Sequence, residues 1–388
     1  MRSSSHRFLE PGNPVPRPQR APTHLGMIIG LVLGFVVALS TAHAQWQIAR
    51  PGKLYQFPAD HRSHPGFQTE WWYFTGNLRT SEGKDFGYQV TWFRQGLRPP
   101  GVLIPTRSRF IVEDLHFVHL AISDLTKKRH HFAQVLRRGS HGEAGTATKA
   151  DAMDTPLVWA GPCTLQMTKA GGFRIMAEDD KATMALNLHL RPTREPIFHG
   201  SDGVSRKGPG PSNASHYYSF TRLETSGSLR VEGSEPVIVD GTSWLDREWS
   251  TSALGENQVG WDWFALRLED GSDLMIYQMR QQDGSADPFS SGTLRKPDGS
   301  RIHLSSEAFQ LQPGDTWKSR RSGGTYPIKW RISLPAQQLD LRVSATIKNQ
   351  EVVLFPVTYW EGSVKVDGTL KGEGYMELTG YAGEVPMH

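Results

Sequence analysis

The densest run of reactive side chains is "SWLDREWSTS", Ser243–Ser252, which sets two acids and an arginine between two tryptophans. If the backbone is extended, side chains alternate between faces, so Trp244, Asp246 and Glu248 share one face and Leu245, Arg247 and Trp249 the other. The two carboxylates then sit roughly 6.5–7 Å apart along the strand. On an apolar face they repel, and one keeps its proton to higher pH. A carboxylic acid beside a carboxylate is a general acid/base pair, which makes Asp246 and Glu248 the candidate catalytic residues. The competing arrangement is structural: Arg247 or another cation neutralises the acids, and the segment ties loops together. Arg247 points away from both acids and is expected to be a structural cation, with Glu70 or Asp262 as its partner. The residues alone leave both arrangements open.

Other segments place polar groups among aromatics. "QTEWWYFTG" (Gln68–Gly76) puts Glu70, Trp72 and Phe74 on one face. A carboxylate beside Trp inside a barrel anchors the polar end of a ligand in an apolar pocket; the plainer alternative is an edge strand with an aromatic core face. "GWDWFA" repeats the pattern with Asp262 between Trp261 and Trp263. "HYYSF" offers Tyr217 and Tyr218, one of which must point inward, and a hydroxyl at the end of an apolar ring suits a hydrophobic ligand with one polar group. The candidate ligand-contacting set is Glu70, Trp72, Tyr218, Trp249, Asp262 and Tyr277. His116 and His119 fall on opposite faces of a strand, which argues against a shared metal, and no Cys/His spacing resembles a zinc site. There is no G-x-S-x-G elbow and no phosphate-binding glycine loop in a strand–helix setting.

The elements that must hold these residues are strands. Segments such as Asp114–Asp124, His216–Glu224, Pro236–Trp244 and Glu377–Tyr381 are rich in β-branched and aromatic residues, and "TSEGKD", "LEDGSD" and "KPDGS" are hairpin turns. Long helical periodicity is missing after residue 44. Residues 1–44 carry four Arg, one Glu and an apolar run from Leu25 to Leu39, ending in Ala42-His43-Ala44. They form an expected signal peptide cleaved after Ala44, which implies a periplasmic or secreted protein that meets a membrane only through an uncleaved leader. The chain carries +4 overall, and the leader accounts for +3 of it, leaving about +1 for the mature protein. No basic stripe interleaved with aromatics points to nucleic acid. The single cysteine, Cys163, excludes an intrachain disulfide.

"EWWYFTGNLRTSEGKDFGYQV" (Glu70–Val90) and "GWDWFALRLEDGSDLMIYQM" (Gly260–Met279) match as one hairpin used twice. Trp71 answers to Trp261, Phe74 to Phe264, and Tyr88-Gln89 to Tyr277-Gln278. The repeat predicts two related β-domains, with boundaries at 45–228 and 229–388. Two long polar loops, Arg137–Asp154 and His199–Ser215, interrupt the first domain as candidate lids or excursions.

"TEWWYFTGNL", "GYQVTWFRQG", "HLAISD", "YYSFTRL", "WLDREWSTS", "GWDWFALRLEDGSDLMIYQMR" and "GYMELTGY" together resemble the AttH/carotenoid 1,2-hydratase superfamily across essentially the whole mature chain. The resemblance implies an all-β fold of two tandem lipocalin-like (calycin) β-barrels. Its hydratase branch adds water to an isolated C=C bond without a cofactor, which requires a buried acid and an aromatic wall for the cation; Asp246, Glu248, Trp249 and Tyr277 match in type. Arg247 stands where the hydratases resemble a His-rich version of the segment, so the sequence is closer to the AttH branch. The resemblance thus implies a periplasmic protein that binds a hydrophobic, isoprenoid or lipid-like molecule, accessory to an ABC-type exporter. The alternatives are a hydratase-like hydro-lyase or isomerase, and a non-catalytic structural or accessory subunit.

Overall fold

The computed structural model describes residues 45–102, 111–149, 151–152, 154–201, 203–252, 254–255, 257–354 and 357–383. The expected leader and its cleavage site lie outside them. Among the described residues there is no α-helix, and the fold is all-β. Strands β1 (Thr69–Arg79), β2 (Asp85–Gly96), β3 (Asp114–Asp124) and β4 (Arg129–Arg138) form one antiparallel meander. Strands β5 (Ala144–Thr146), β6 (Val158–Ala160), β7 (Cys163–Met167), β8 (Phe173–Glu178) and β9 (Ala185–Pro192) form a second. Two short strands, β10 (Ile197–Phe198) and β11 (Val204–Arg206), pair with the long β12 (Ala214–Arg230). β13 (Val237–Ser250) lies between β12 and β1 and joins both meanders into one 13-stranded sheet. This first sheet curls into a nearly closed barrel. The Trp92 indole of β2 spans the gap and donates to the Cys163 carbonyl of β7 at 3.4 Å.

The second sheet begins with β14 (Gln258–Leu268), β15 (Asp273–Gln281), β16 (Ser291–Arg295) and β17 (Arg301–Ser305). After β18 (Gln310–Pro313) comes a separate hairpin of β19 (Thr316–Lys318) and β20 (Thr325–Pro327). The sheet continues with β21 (Lys329–Leu334), β22 (Leu339–Ala345), β23 (Glu351–Val353), β24 (Thr358–Gly368) and β25 (Gly372–Thr379), and β25 returns to pair with β14. The result is a half-barrel, and the two sheets together are consistent with two lipocalin-like barrels.

Alternation along each strand sorts the aromatics. Phe74 enters the core of the first sheet with Trp92 and Tyr88, and Phe264 enters that of the second with Trp330 and Trp360. Their neighbours Tyr73 and Trp263 turn the other way and meet in a third cluster between the sheets, with Tyr217, Trp244, Met275, Tyr277 and Tyr375. β1 sits between β2 and β13 as β14 sits between β15 and β25, and Trp71 and Trp261 both pack against the third cluster. The repeated hairpin therefore occupies equivalent places. One detail of the sequence match is corrected. Tyr277 lies opposite Trp263, but the residue opposite Tyr73 is Thr91, not Tyr88. The arm from Trp71 to its turn is longer than the arm from Trp261, so Tyr88 enters a core while Tyr277 faces the other sheet.

The expected boundary at 228/229 is likewise displaced. Ser228 lies inside β12, paired with Asn187 and Ile238, and β13 returns to the same sheet. The change of sheet falls between Ser250 and Gln258. Gly227-Ser228 has the composition of a break, but the strand ladder runs through it.

The two sheets approach closely. A Cβ on Gly87 would lie 2.6 Å from the Tyr375 hydroxyl and 3.1 Å from Ser363 Cβ on the facing sheet. Gly87→Val is expected to lower stability by about 1–3 kcal/mol through overpacking of this contact. Chemical denaturation checks it, and an unchanged midpoint would show that the sheets can separate locally at no cost.

Candidate functional site

β13 is extended through the opening motif, and its alternation divides the expected site in two. Leu245 and Trp249 belong to the core of the first sheet, where Arg247 is also fully buried. Trp244 belongs to the cluster between the sheets, and Asp246, buried on the same face, bonds to Trp244 and Tyr217 of that cluster.

Inside the first barrel, Arg247 is an ionic plug. Its guanidinium binds Glu70, donates to the Arg62 carbonyl at 2.8 Å and the Glu248 carbonyl at 3.0 Å, and lies 3.8 Å from the Trp72 ring centroid. Arg94 Nε donates to Glu70 at 2.6 Å, and Ser63 Oγ donates at 2.5 Å. Two guanidiniums hold the Glu70 carboxyl well below the usual carboxylate range, although burial opposes them. The expected Arg247 partner is thus Glu70. Asp262 is engaged elsewhere, by Arg280 at 2.5 Å and the Tyr381 hydroxyl at 2.9 Å. Trp72 donates to the His61 carbonyl at 2.8 Å, Tyr218 bonds His61 Nδ1 at 2.7 Å, and Trp249 stacks on His64 at 3.8 Å. Glu70, Trp72, Tyr218 and Trp249 are therefore gathered together, on the face opposite Asp246.

Between the sheets the chemistry is different. The Asp246 carboxylate accepts hydrogen bonds from Tyr217 Oη at 2.5 Å, Trp244 Nε1 at 2.6 Å and Ser219 Oγ. No guanidinium or ammonium touches it among the described residues. Burial, with a smaller contribution from Glu248, raises its pKa to about 7 despite the three donors. Ser219 also bonds His199 Nε2 at 2.6 Å, and His199 Nδ1 bonds Thr293 at 2.9 Å, so a hydrogen-bonded chain leads from Asp246 to the second sheet. Trp263 Nε1 of that sheet donates to the Tyr217 hydroxyl at 3.2 Å.

Glu248 is paired with Lys207, whose ammonium lies 5.4, 5.5 and 5.8 Å from the ring centroids of Trp71, Tyr217 and Tyr277. Lys207 belongs to the long polar loop His199–Ser215, which lines the site through His199, Ser205 and Lys207. Tyr277, expected beside the acids, is there, with its hydroxyl 2.8 Å from Ser205 Oγ.

Two acids escaped sequence reasoning. Glu361 of β24 and Glu377 of β25 are direct cross-strand partners; Glu361 is buried and Glu377 half-buried. Burial, then mutual proximity, pushes Glu361 well above the ordinary value; burial pushes Glu377 to about 7, with Trp261 Nε1 donating to it at 3.0 Å. Tyr73 and Tyr359 turn their hydroxyls toward Glu361, whose Oε1 lacks a partner in full hydrogen-bond geometry, as does the Tyr73 hydroxyl. The signal was present in "YWEGSV" and "GYMELT", where an acid alternates with apolar residues on a strand. Pairing of the two strands, which sequence does not give, makes it a dyad.

Fold and site together define a tandem β-barrel protein with a layer of buried carboxylic acids and aromatics between its barrels. The AttH-like family profile matches residues 48–381, and the chain belongs to that family. Among solved structures, a protein of Nitrosomonas europaea assigned as an AttH is 33% identical, with a TM-score of 0.77, over 86% of this chain and 99% of that one. Kievitone hydratase from Nectria haematococca shares the fold at 16% identity and a TM-score of 0.63, over 88% of this chain and 97% of that one. Among curated proteins no sequence matches it.

Proposed function

We propose that the protein binds an apolar, isoprenoid or lipid-like molecule against the layer between the sheets, and that Asp246 protonates it in a cofactor-free hydration or double-bond isomerisation. The observation that carries this is Asp246 itself, a buried carboxyl near neutral pKa, held by three donors and touched by no cation, in an aromatic surround. A purely structural acid at such depth is usually neutralised by a cation, as Glu70 is. Protonation of an alkene carbon by Asp246 breaks the C=C π bond and leaves a carbocation at its neighbour. Trp244, Trp263 and Tyr73 present electron-rich rings to that charge. Hydration follows when water attacks the cation and passes its proton to Glu248. Isomerisation follows when an adjacent C–H gives its proton back to a carboxylate instead. Three-donor contact fixes the acid's orientation, and the Ser219–His199 chain offers a route for its reprotonation.

Export through the leader, residence in the periplasm and service to an ABC-type exporter belong to the same proposal and rest on the sequence alone. The test begins with mass spectrometry of the apolar molecule that co-purifies with the mature protein from its native host. That molecule, and an acyclic isoprenoid such as lycopene, are then incubated with protein in oxygen-18 water. The expected product carries labelled oxygen, or a shifted double bond with no added mass, and it disappears with Asp246→Asn while ligand binding persists. Binding without conversion by the wild-type protein would leave a carrier and remove the catalytic role.

A further inference from the structure

A cleft of about 350 Å³ opens between β4, which gives His130 and Phe132, and the separate hairpin, which gives Trp317, Lys318, Arg320 and Arg321, with Glu351 of β23 in its wall. None of the residues of the acid layer lines it. Three cations stand on one rim of this small space. Several other crowded cations of the protein hold an acid: Arg94 and Arg247 hold Glu70, Arg194 and Arg222 hold Asp273, and Arg280 holds Asp262. Among the described residues, no carboxylate forms an ion pair with Lys318, Arg320 or Arg321.

The one acid in the wall does not answer them. Both oxygens of Glu351 are occupied by hydroxyls, with Tyr326 at 2.9 Å, Ser319 at 2.5 Å and Ser322. Ser319 Oγ in turn accepts the Arg321 backbone N–H at 3.0 Å and Ser322 N–H at 3.2 Å. The acid thus braces the hairpin turn that carries the arginines, and its hydrogen bonds go to hydroxyls of that hairpin. The floor is aromatic. Arg321 lies 4.9 Å from the Phe132 ring centroid and bridges the two walls, and Trp317 stacks on Tyr326 at 6.2 Å. Behind Phe132, the His130 ring bonds Ser123 through Nδ1 at 2.9 Å, and its buried Nε2 has no partner.

We infer that this cleft is a binding site for an oxyanion, a phosphate monoester or carboxylate, carried on an apolar body: Lys318, Arg320 and Arg321 take the anion, and Trp317 and Phe132 take the body. Guanidinium groups bind such oxyanions through paired N–H donors, and aromatic rings bury the attached apolar chain. The net charge of the mature chain is close to neutral, so a local concentration of three unpaired cations is a feature of this site, not of the whole surface. The inference is independent of the acid layer and of any reaction there.

Isothermal titration with dodecyl phosphate below its micelle concentration tests it, beside neutral dodecyl maltoside, inorganic phosphate and phosphatidylglycerol vesicles. Dodecyl phosphate is expected to bind and dodecyl maltoside not to. The Arg320→Gln/Arg321→Gln protein should bind dodecyl phosphate at least about 10-fold more weakly. These side chains are exposed, so the variant's melting temperature should match the wild type and confirm folding. Displacement of dodecyl phosphate by inorganic phosphate would identify a free phosphate ester as the natural source; sedimentation with phosphatidylglycerol vesicles that depends on the arginines would identify a lipid headgroup; both support the site. Equal binding of the phosphate and the maltoside, or unchanged binding by the folded double variant, overturns it.

Discussion

Arg247→Ala is expected to lose about 3–5 kcal/mol of stability, the cost of breaking a buried ion pair by removing one partner. The guanidinium has no exposure, and it satisfies Glu70 and the carbonyls of Arg62 and Glu248 while stacking between Trp72 and Trp249. Alanine removes those contacts and leaves a cavity between two indoles. Arg94 remains on Glu70, which keeps that carboxylate from being stranded and places the loss toward the lower part of the range. Arg247→Lys should recover little, because one ammonium cannot span the same acceptors and cannot stack as a planar group. Urea denaturation of both variants decides it. An alanine variant as stable as wild type would mean that the plug is dispensable and that the first barrel is held by its apolar core alone.

Asp246→Asn should behave in the opposite way, and its effect should depend on pH. In the folded protein the acid titrates at about 7, against 3.8 for an unperturbed aspartate. A folded pKa raised above the unfolded one means that stability is fully present below about pH 4 and is lost as pH rises toward 7. At 1.36 kcal/mol per pH unit the full loss is at most about 4 kcal/mol. The asparagine variant is free of this loss. It should therefore match wild type near pH 4, exceed it increasingly up to pH 7, and hold a constant advantage above. Over the same range it should lose turnover by about 10²–10⁴-fold, the usual contribution of a positioned general acid. Gain of stability with loss of activity is the signature of a strained functional group. A stability difference that does not change with pH would show that Asp246 ionises normally, and would remove the acid on which the proposed reaction depends.

Much of this was legible because a strand has a period of two. Once Trp244–Trp249 is extended, Asp246 and Glu248 must face away from Arg247, and the structure keeps that division. The same rule separates Trp249 from Asp246, although the two had been grouped by chemical type. Chemical type says which residues could act on one substrate, whereas parity along the strand says which can meet. Strand pairing was not legible. Glu361 and Glu377 lie on adjacent strands, and each alone looks like a polar residue on the solvent side of a sheet. The first sheet packs over that side, which buries Glu361 and partly covers Glu377. The boundary at 228/229 failed for a related reason: glycine and serine suggest a break, but continuation of a strand is decided by its neighbours, here β9 and β13.

The acid layer is assembled from both halves, with Asp246 and Glu248 from one and Glu361, Glu377 and Trp263 from the other. A lone barrel of this kind would own half a site and would have to find a second copy in solution before it could do anything. Covalent tandem linkage replaces that search with an effective concentration of order millimolar, set by the short connection between Ser250 and Gln258. It also frees the halves from identity. In a symmetric pair every substitution appears twice, so an acid dyad on one wall forces the same dyad on the other. Joined end to end, one wall can hold a single poised acid and the opposite wall a coupled pair. Asymmetry of that kind is built into the chain itself and does not depend on what the layer binds.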